Sequence, residues 1–321
     1  MASLRSLILD GERRLLLHPD NPERSREYFD FAQEALRSRD TILVNTDSVT
    51  SIVAGQLREH GWTQPFAGIP HPRPPYRSMW LEFTTEGPIM GDFRVGALVS
   101  SVDVTDDAVL RRFLEDSPVG YHQDTVDLIG QAGSRPTVVA AHYYAQVKGW
   151  AAGVGACIYW LDREGNYRNN SYGLIDRMPR GVDLEEILKP RPENERYYSG
   201  IRHVHLMTAN TLHAFARMNC HNVKLVPVAA VTAKHQRQGR PPASVWHEIV
   251  VTGIDVLRTQ EKNPLPDGDP RELRFHKVRG HYADYTRGKG LFGRYQVRLW
   301  VPEHTAGNPE LGTVVSSYTV K

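Results

Sequence analysis

An α+β fold is predicted for this chain, with mixed, mostly antiparallel sheets, flanking helices and a β-rich basic C-terminal subdomain. Three features predict it. Amphipathic helical patterns occur at 22–39 and 201–218. Between and after them lie apolar or alternating runs of strand length that do not interleave with helices in βαβ order. Twenty-one prolines and 26 glycines in 321 residues punctuate these runs, as turns and loops require.

The elements follow in chain order. Asn21 caps and Pro22 opens a helix to residue 39, with Tyr28, Phe31, Ala32 and Leu36 at helical spacing. A short strand follows at 41–44, and Asp47 then caps a second helix through Leu57. The stretch 62–76 holds five prolines and is a loop, because proline cannot donate to a sheet ladder. Strands are predicted at 79–85, where Met79, Leu81 and Phe83 alternate with Trp80 and Glu82, and at 95–104. A short helix runs over 106–115, and strands return at 137–147 and 154–161. Residues 162–171 read as a turn. A short helix begins at Asp183, residues 189–200 form a linker, and a long helix spans 201–218. Strands are predicted at 225–231, 244–251, 275–285, 295–301 and 312–320. Two domains are expected, one over 1–190 and one over 201–321 made of the long helix and the basic β-rich part.

Composition narrows the function classes. With 40% hydrophobic and 24% charged residues, the chain is neither collagen-like nor wholly disordered. Two cysteines, Cys157 and Cys220, build no disulfide framework. The N-terminal apolar runs are broken by Asp10, Glu12, Arg13 and Arg14, which argues against a signal peptide. No run of about 18 apolar residues occurs, so no membrane partner is expected. The expected location is the cytoplasm of its cell.

Charge is unevenly placed. Residues 271–298 carry a net +6 against +2 for the whole chain, which leaves the rest acidic. Such a segment attracts phosphate or an acidic partner. Within one extended strand, Lys277, Arg279 and His281 would share a face, with His276 and Val278 on the other. Tyr282, Tyr285 and Trp300 add rings, and Arg294 adds charge. Charge beside stacking surfaces is how single-stranded RNA is held. The same segment read as an enzyme would use His276 and His281 for proton transfer, Arg279 for transition-state charge and Tyr285 for positioning, as a metal-independent ribonuclease needs. Opposite strand faces would keep those two histidines apart. There is no Walker loop, HExxH or nucleophile elbow. Gly153-Val-Gly155 lacks the helix a dinucleotide site requires. No cofactor or metal is expected.

The pattern His276-x-x-Arg279-Gly280-His281-Tyr282, then Tyr285, a glycine loop and an arginine-rich strand ending at Trp300, resembles the C-terminal signature of a phage and mobile-element family. That family includes a type V-A anti-CRISPR protein that suppresses biosynthesis of the effector nuclease. Two further blocks add to the resemblance: Pro75–Phe83, and Met218–Val223 followed by Arg237–Pro242. This chain has Tyr282 where tryptophan is commoner in the family. The resemblance implies an anti-defence protein that recognises the nascent polypeptide of a host defence protein and lowers its mRNA and protein. It implies contact with the ribosome or mRNA, and with a host RNA-decay factor. On that reading the RNA- or ribosome-facing residues are Lys277, Arg279, His281, Tyr282, Tyr285, Arg294 and Trp300. The peptide groove is expected around Trp80, Phe83, Tyr143 and Tyr159, by strand addition. A virion structural role is the remaining alternative.

Overall fold

The computed structural model describes residues 3–10, 14–18, 21–38, 40–46, 66, 69–85, 93–118, 126, 129, 136–174, 195–228, 245–251, 274–278, 280–291, 295–306 and 308–313. Of these, 169–174, 195–199, 274–278, 304–306 and 308–313 are described by their backbone alone. The architecture is α+β, one large mixed and mostly antiparallel sheet with four helices among the described residues, followed by small C-terminal sheets. No described helix is long and apolar enough to cross a membrane.

In chain order the elements are α1 (Leu4–Leu9), β1 (Leu15–Leu16), α2 (Pro22–Arg37), β2 (Ile42–Asn45), β3 (Ser78–Thr85), β4 (Phe93–Asp103) and α3 (Asp107–Glu115). Then come β5 (Thr137–Val147), β6 (Trp150–Leu161), β7 (Tyr167–Leu174), α4 (Glu195–Met218), β8 (Val223–Val228) and β9 (Trp246–Val251). The last are β10 (Arg274–Val278), β11 (His281–Asp284), β12 (Arg298–Val301), β13 (His304–Ala306) and β14 (Asn308–Thr313). The chain divides into two compact units: Met1–Asn219 with Leu225–Ile249, and Cys220–Lys224 with Val250–Lys321.

In the first unit the sheet order is β1-β6-β5-β4-β3-β2-β9-β8, with β7 also paired to β6. Strands β3 to β7 form an antiparallel meander, whereas β2 runs parallel to both β3 and β9. Alternation along the strands sends side chains to two covered faces. Trp80, Leu98, Tyr144 and Ala156 pack under α1 and α2, against Leu4, Leu7, Ile8, Tyr28, Phe29 and Leu36. Val138, Ala140, Ile158 and Trp160 continue that face under α3. The opposite face, with Tyr143 among its residues, meets α4, whose Thr208 and Thr211 hydroxyls lie beside that phenol.

Helix α2 starts at the cap read from the sequence, whereas α3 starts one residue later than expected, with Asp106 as its cap rather than its first residue. Asn21 Oδ1 accepts the Arg24 N–H at 3.2 Å, and Asp106 Oδ1 accepts the Val109 N–H at 2.9 Å. Helix α4 is buried along nearly its whole described length. It tolerates this because its polar side chains bond to its own backbone: Thr208 donates to Val204 O, Asn210 to Leu206 O and Thr211 to Met207 O. Glu82 is a second buried polar group with full company. It accepts from the Leu4 N–H, the Arg5 N–H and Trp80 Nε1, and pairs with Arg94 at 3.6 Å.

Several expectations change. Helix α4 begins at Glu195, so 195–200 is helix rather than linker. The helix was grouped by sequence with the C-terminal region, but it packs on β4 to β7 and belongs to the first unit. Residues 167–171 are strand β7 rather than turn, held by backbone pairing to β6. The strand expected over 275–285 is two strands in two sheets: β10 pairs with β13 and β14, and β11 pairs with β12. Gly153 and Gly155 flank an irregularity in the β5–β6 ladder, where the Tyr28 hydroxyl accepts the Tyr143 N–H and donates to Gly155 O. The helices expected at 47–57 and 183–189, and the basic stretch 234–242, lie outside the described residues.

Candidate nucleic-acid interface

The second unit is built around the antiparallel pair β11–β12, in which His281 faces Val301, Tyr282 faces Trp300, Ala283 faces Leu299 and Asp284 faces Arg298. Two of these pairs account for much of the sequence signature. The Tyr282 and Trp300 rings pack 4.8 Å apart at 58°. Directly opposed aromatic residues stabilise a two-stranded ribbon that has little other core. Asp284 Oδ2 accepts from Arg298 Nη2 at 2.9 Å and Nε at 3.3 Å. Asp284 Oδ1 accepts from both the Thr286 amide and hydroxyl, at 2.9 and 2.6 Å. These hydrogen bonds, the Thr286 hydroxyl first, hold the Asp284 carboxyl well below the usual range.

Gly280 has a steric reason. A Cβ there would lie 2.7 Å from Cζ2 of Trp300. The block around Cys220 has its reason here too. Asn222 Oδ1 accepts the Trp300 N–H at 2.9 Å and Asn222 Nδ2 donates to Trp300 O at 2.7 Å. The His221 N–H donates to Arg298 O at 3.0 Å. Residues 221 and 222 thus line the free edge of β12 as a third strand would. Two sequence blocks that are far apart in the chain are one structural cluster.

Beyond β11 the chain turns. Gly288 and Gly290 take φ of +72° and +75°, which costs glycine nothing. A Cβ at Gly290 would lie 2.7 Å from Tyr295 O. Leu291 and Tyr295 exchange N–H···O bonds of 2.8 and 3.0 Å, and Gln296 Nε2 donates to Gly288 O at 3.2 Å. Arg287 and Lys289 project from this turn and are exposed.

The residues expected to face RNA or ribosome therefore part company. His281 is exposed and Tyr282 and Tyr285 are half-buried. Trp300 is 5% exposed, so it is a packing residue of the ribbon, not an open stacking platform. Lys277 and His276 lie on β10 rather than on the strand that carries His281, which removes the single-strand argument for a shared face with His281, and equally the argument that opposite faces separate the two histidines. Their side chains, and Arg279 and Arg294 altogether, lie outside the described residues.

The residues expected to line a peptide groove are core. Trp80, Tyr143 and Tyr159 are fully buried and Phe83 nearly so. Burial pushes the Tyr143 and Tyr159 phenols above their usual range. Strands β3 and β5 have partners on both sides, so neither offers an edge for strand addition. A strand buried on both faces reads as a continuous apolar run, and the large aromatics in it fill the interior.

Sequence reasoning assigned no role to Asn222, Arg287, Lys289 or Tyr295. The signals for the turn were present: Asp284-x-Thr286 is the pattern of a side-chain-closed turn, and Gly-Lys-Gly supplies left-handed backbone. Compared with protein-family models, curated proteins and solved structures, the chain matches none.

Proposed function

We propose that this chain is a phage-encoded anti-defence protein that recognises a nascent host polypeptide and lowers the corresponding mRNA and protein, with the basic C-terminal unit turned toward RNA or the ribosome. The observation that supports this reading most is the convergence just described. Of the residues carrying the family resemblance, Gly280, Tyr282 and Asn222 all meet Trp300, and together they build a frame. The frame carries exposed basic side chains at its turn. A rigid frame with exposed cations suits a polyanion, whose phosphates bind through charge.

Peptide recognition by strand addition falls to β8, one of the terminal strands of the described sheet, where Val226 and Val228 are 41% and 38% exposed. Loss of the message follows from recruitment of a host decay factor while the client is still being translated.

The test is a polysome profile of cells expressing the protein, with sequencing of the mRNAs that co-purify with it. One or a few messages enriched in translating fractions, and released by puromycin, are expected. A protein that stays at the top of the gradient and brings down no message overturns the reading.

A further inference from the structure

We propose that residues 285–291, with Tyr295 and Gln296 bonded to them, are a contact for single-stranded RNA, in which Arg287 and Lys289 hold phosphates and Tyr295 stacks on an unpaired base. This rests on the polyanion-facing reading of the same unit and changes which residues do the work. The aromatic pair picked out by sequence is spent on itself: Tyr282 packs on Trp300, and Trp300 is 5% exposed. Tyr295 is 38% exposed. An exposed tyrosine presents a flat face that any base can cover, and such stacking is tolerant of sequence.

Charge on the turn is left for a ligand. Residues 284–298 carry a net +3, with Asp284 as the one carboxylate. Both Asp284 oxygens are occupied, one by Thr286 and the other by Arg298. Neither Arg287 nor Lys289 forms an ion pair among the described residues. The described residues beside them, Gly288, Gly290, Leu291, Tyr295 and Gln296, are tied to one another at three points. Gly290 sits against Tyr295 O, Leu291 and Tyr295 are doubly bonded, and Gln296 ties back to Gly288. The Tyr285 N–H donates to Val297 O at 2.9 Å and closes the base of the turn. The element is therefore organised before binding, which keeps the ordering cost of recognition small. A duplex buries its base faces in stacking, so the combination of open ring and cations selects unpaired RNA over duplex.

The test uses the full chain and a fluorescein-labelled uridine 12-mer, with a duplex RNA of equal length beside it, read by anisotropy across a salt series. The wild type is expected to prefer the single strand. Arg287→Ala with Lys289→Ala lowers the salt slope by about 1.4, the value for two phosphate contacts on a single strand. Tyr295→Ala weakens the single strand about tenfold and leaves the duplex unchanged, while Tyr295→Phe restores binding. Unchanged amide exchange at Trp300 checks that the frame is intact in each variant. A wild type that ignores the 12-mer overturns the proposal, as does equal binding by all variants or a duplex preference insensitive to Tyr295. The two readings separate cleanly. Turn-dependent RNA binding without message capture in cells sinks the nascent-chain function alone. Message capture without RNA binding by the turn sinks this proposal alone.

Discussion

Each unit contains a tryptophan lying over a glycine of a neighbouring segment, and the two are held very differently. In the first, a Cβ at Gly96 would lie 2.2 Å from Cζ2 and Cη2 of Trp80, with Leu4 Cδ2 at 3.1 Å behind it. Trp80 is fully buried, packs on Tyr144 and donates its Nε1–H to Glu82 at 3.3 Å. In the second, Trp300 lies over Gly280, with Tyr282 on its ring and Asn222 on its backbone. The same steric device is closed in by a nine-stranded sheet and its helices in one case, and sits on a two-stranded ribbon beside Tyr282 and Asn222 in the other. Single residues of the ribbon therefore matter locally, whereas single residues of the sheet core matter to the whole unit.

The largest effect expected from this difference is at Gly96. Gly96→Ala forces the indole of Trp80 into a filled core and should cost about 3 kcal/mol, the upper range for overpacking, seen as a fall in the urea midpoint of the main transition. Gly280→Ala should cost less, because a Cβ there would lie 2.7 Å from Trp300 rather than the 2.2 Å met at Gly96, and should show as faster amide exchange over 281–301 alone. Equal global losses for the two variants would break the comparison.

Asn222 comes next. Asn222→Ala removes both hydrogen bonds to the Trp300 backbone and should cost about 2 kcal/mol. The expected readout is faster exchange of the Trp300 amide with no change in the β3–β6 amides. An effect that spreads to the main sheet would show that the clamp is not local.

Acid separates the two regions again. His142 is fully buried, with Nε2 on Ser117 Oγ at 3.0 Å and the rings of Tyr28 and Phe31 against it. Burial lowers its pKa from the ordinary 6.5 to about 4. Burial, with Arg217 nearby, lowers that of His213 from 6.5 to about 3. Above pH 6.5 both are neutral folded and unfolded, and they add no pH dependence. Below it only the unfolded chain takes up the protons, so stability falls by about 1.4 kcal/mol per pH unit for each histidine until the folded value is reached. Asp284 works in a lower window. Its folded pKa is depressed below 3.8, so its contribution is whole above that value and is lost as the pH falls beneath it. The first unit should therefore weaken between pH 6.5 and 4 while the Asp284–Arg298 pair persists. His142→Leu should flatten the urea-derived slope by one histidine's share. An unchanged slope would mean that His142 titrates normally.

The difference between the regions also explains what could be read from sequence. Strand β5 was legible to the residue, 137–147, because an apolar run bounded by Pro136 and a Lys-Gly turn has one interpretation. The segments of β3, β4, β6 and α2 were legible for similar reasons. Helix α1 was missed because six residues hold too few repeats to reveal a period. Strand β7 was missed because Tyr-Arg-Asn-Asn-Ser reads as a turn, and only pairing to β6 makes it a strand. The insertion of β2 between β3 and β9 is non-local and leaves no trace in periodicity. At the candidate site, the sequence shows which segment is rich in charge and rings but not which of its residues are buried. The residues most noticeable in the motif, Gly280, Tyr282 and Trp300, are those that pack together. The exposed ones, Arg287, Lys289 and Tyr295, look ordinary in a list of residues because exposure is a property of the fold.

The smallest effect concerns left-handed backbone, which the two regions also handle differently. Among the described residues of the second unit's turn, the positive φ values fall on glycine, at Gly288 and Gly290. The β5–β6 hairpin of the first unit has a two-residue loop in which Lys148 takes φ +49° and Gly149 takes φ +86°. Two positive values in such a loop are the mark of a type I′ turn, whose first position favours asparagine or glycine. A lysine there carries a cost that the long pairing of β5 with β6 offsets. Lys148→Asn should therefore stabilise the first unit by about 0.5 kcal/mol, since asparagine tolerates the left-handed region better than other side chains. The side chain of Lys148 is exposed, so the substitution disturbs no packing. A rise in the urea midpoint at unchanged m-value is the expected result. A fall would mean that the Lys148 side chain stabilises the hairpin by more than its backbone strain costs.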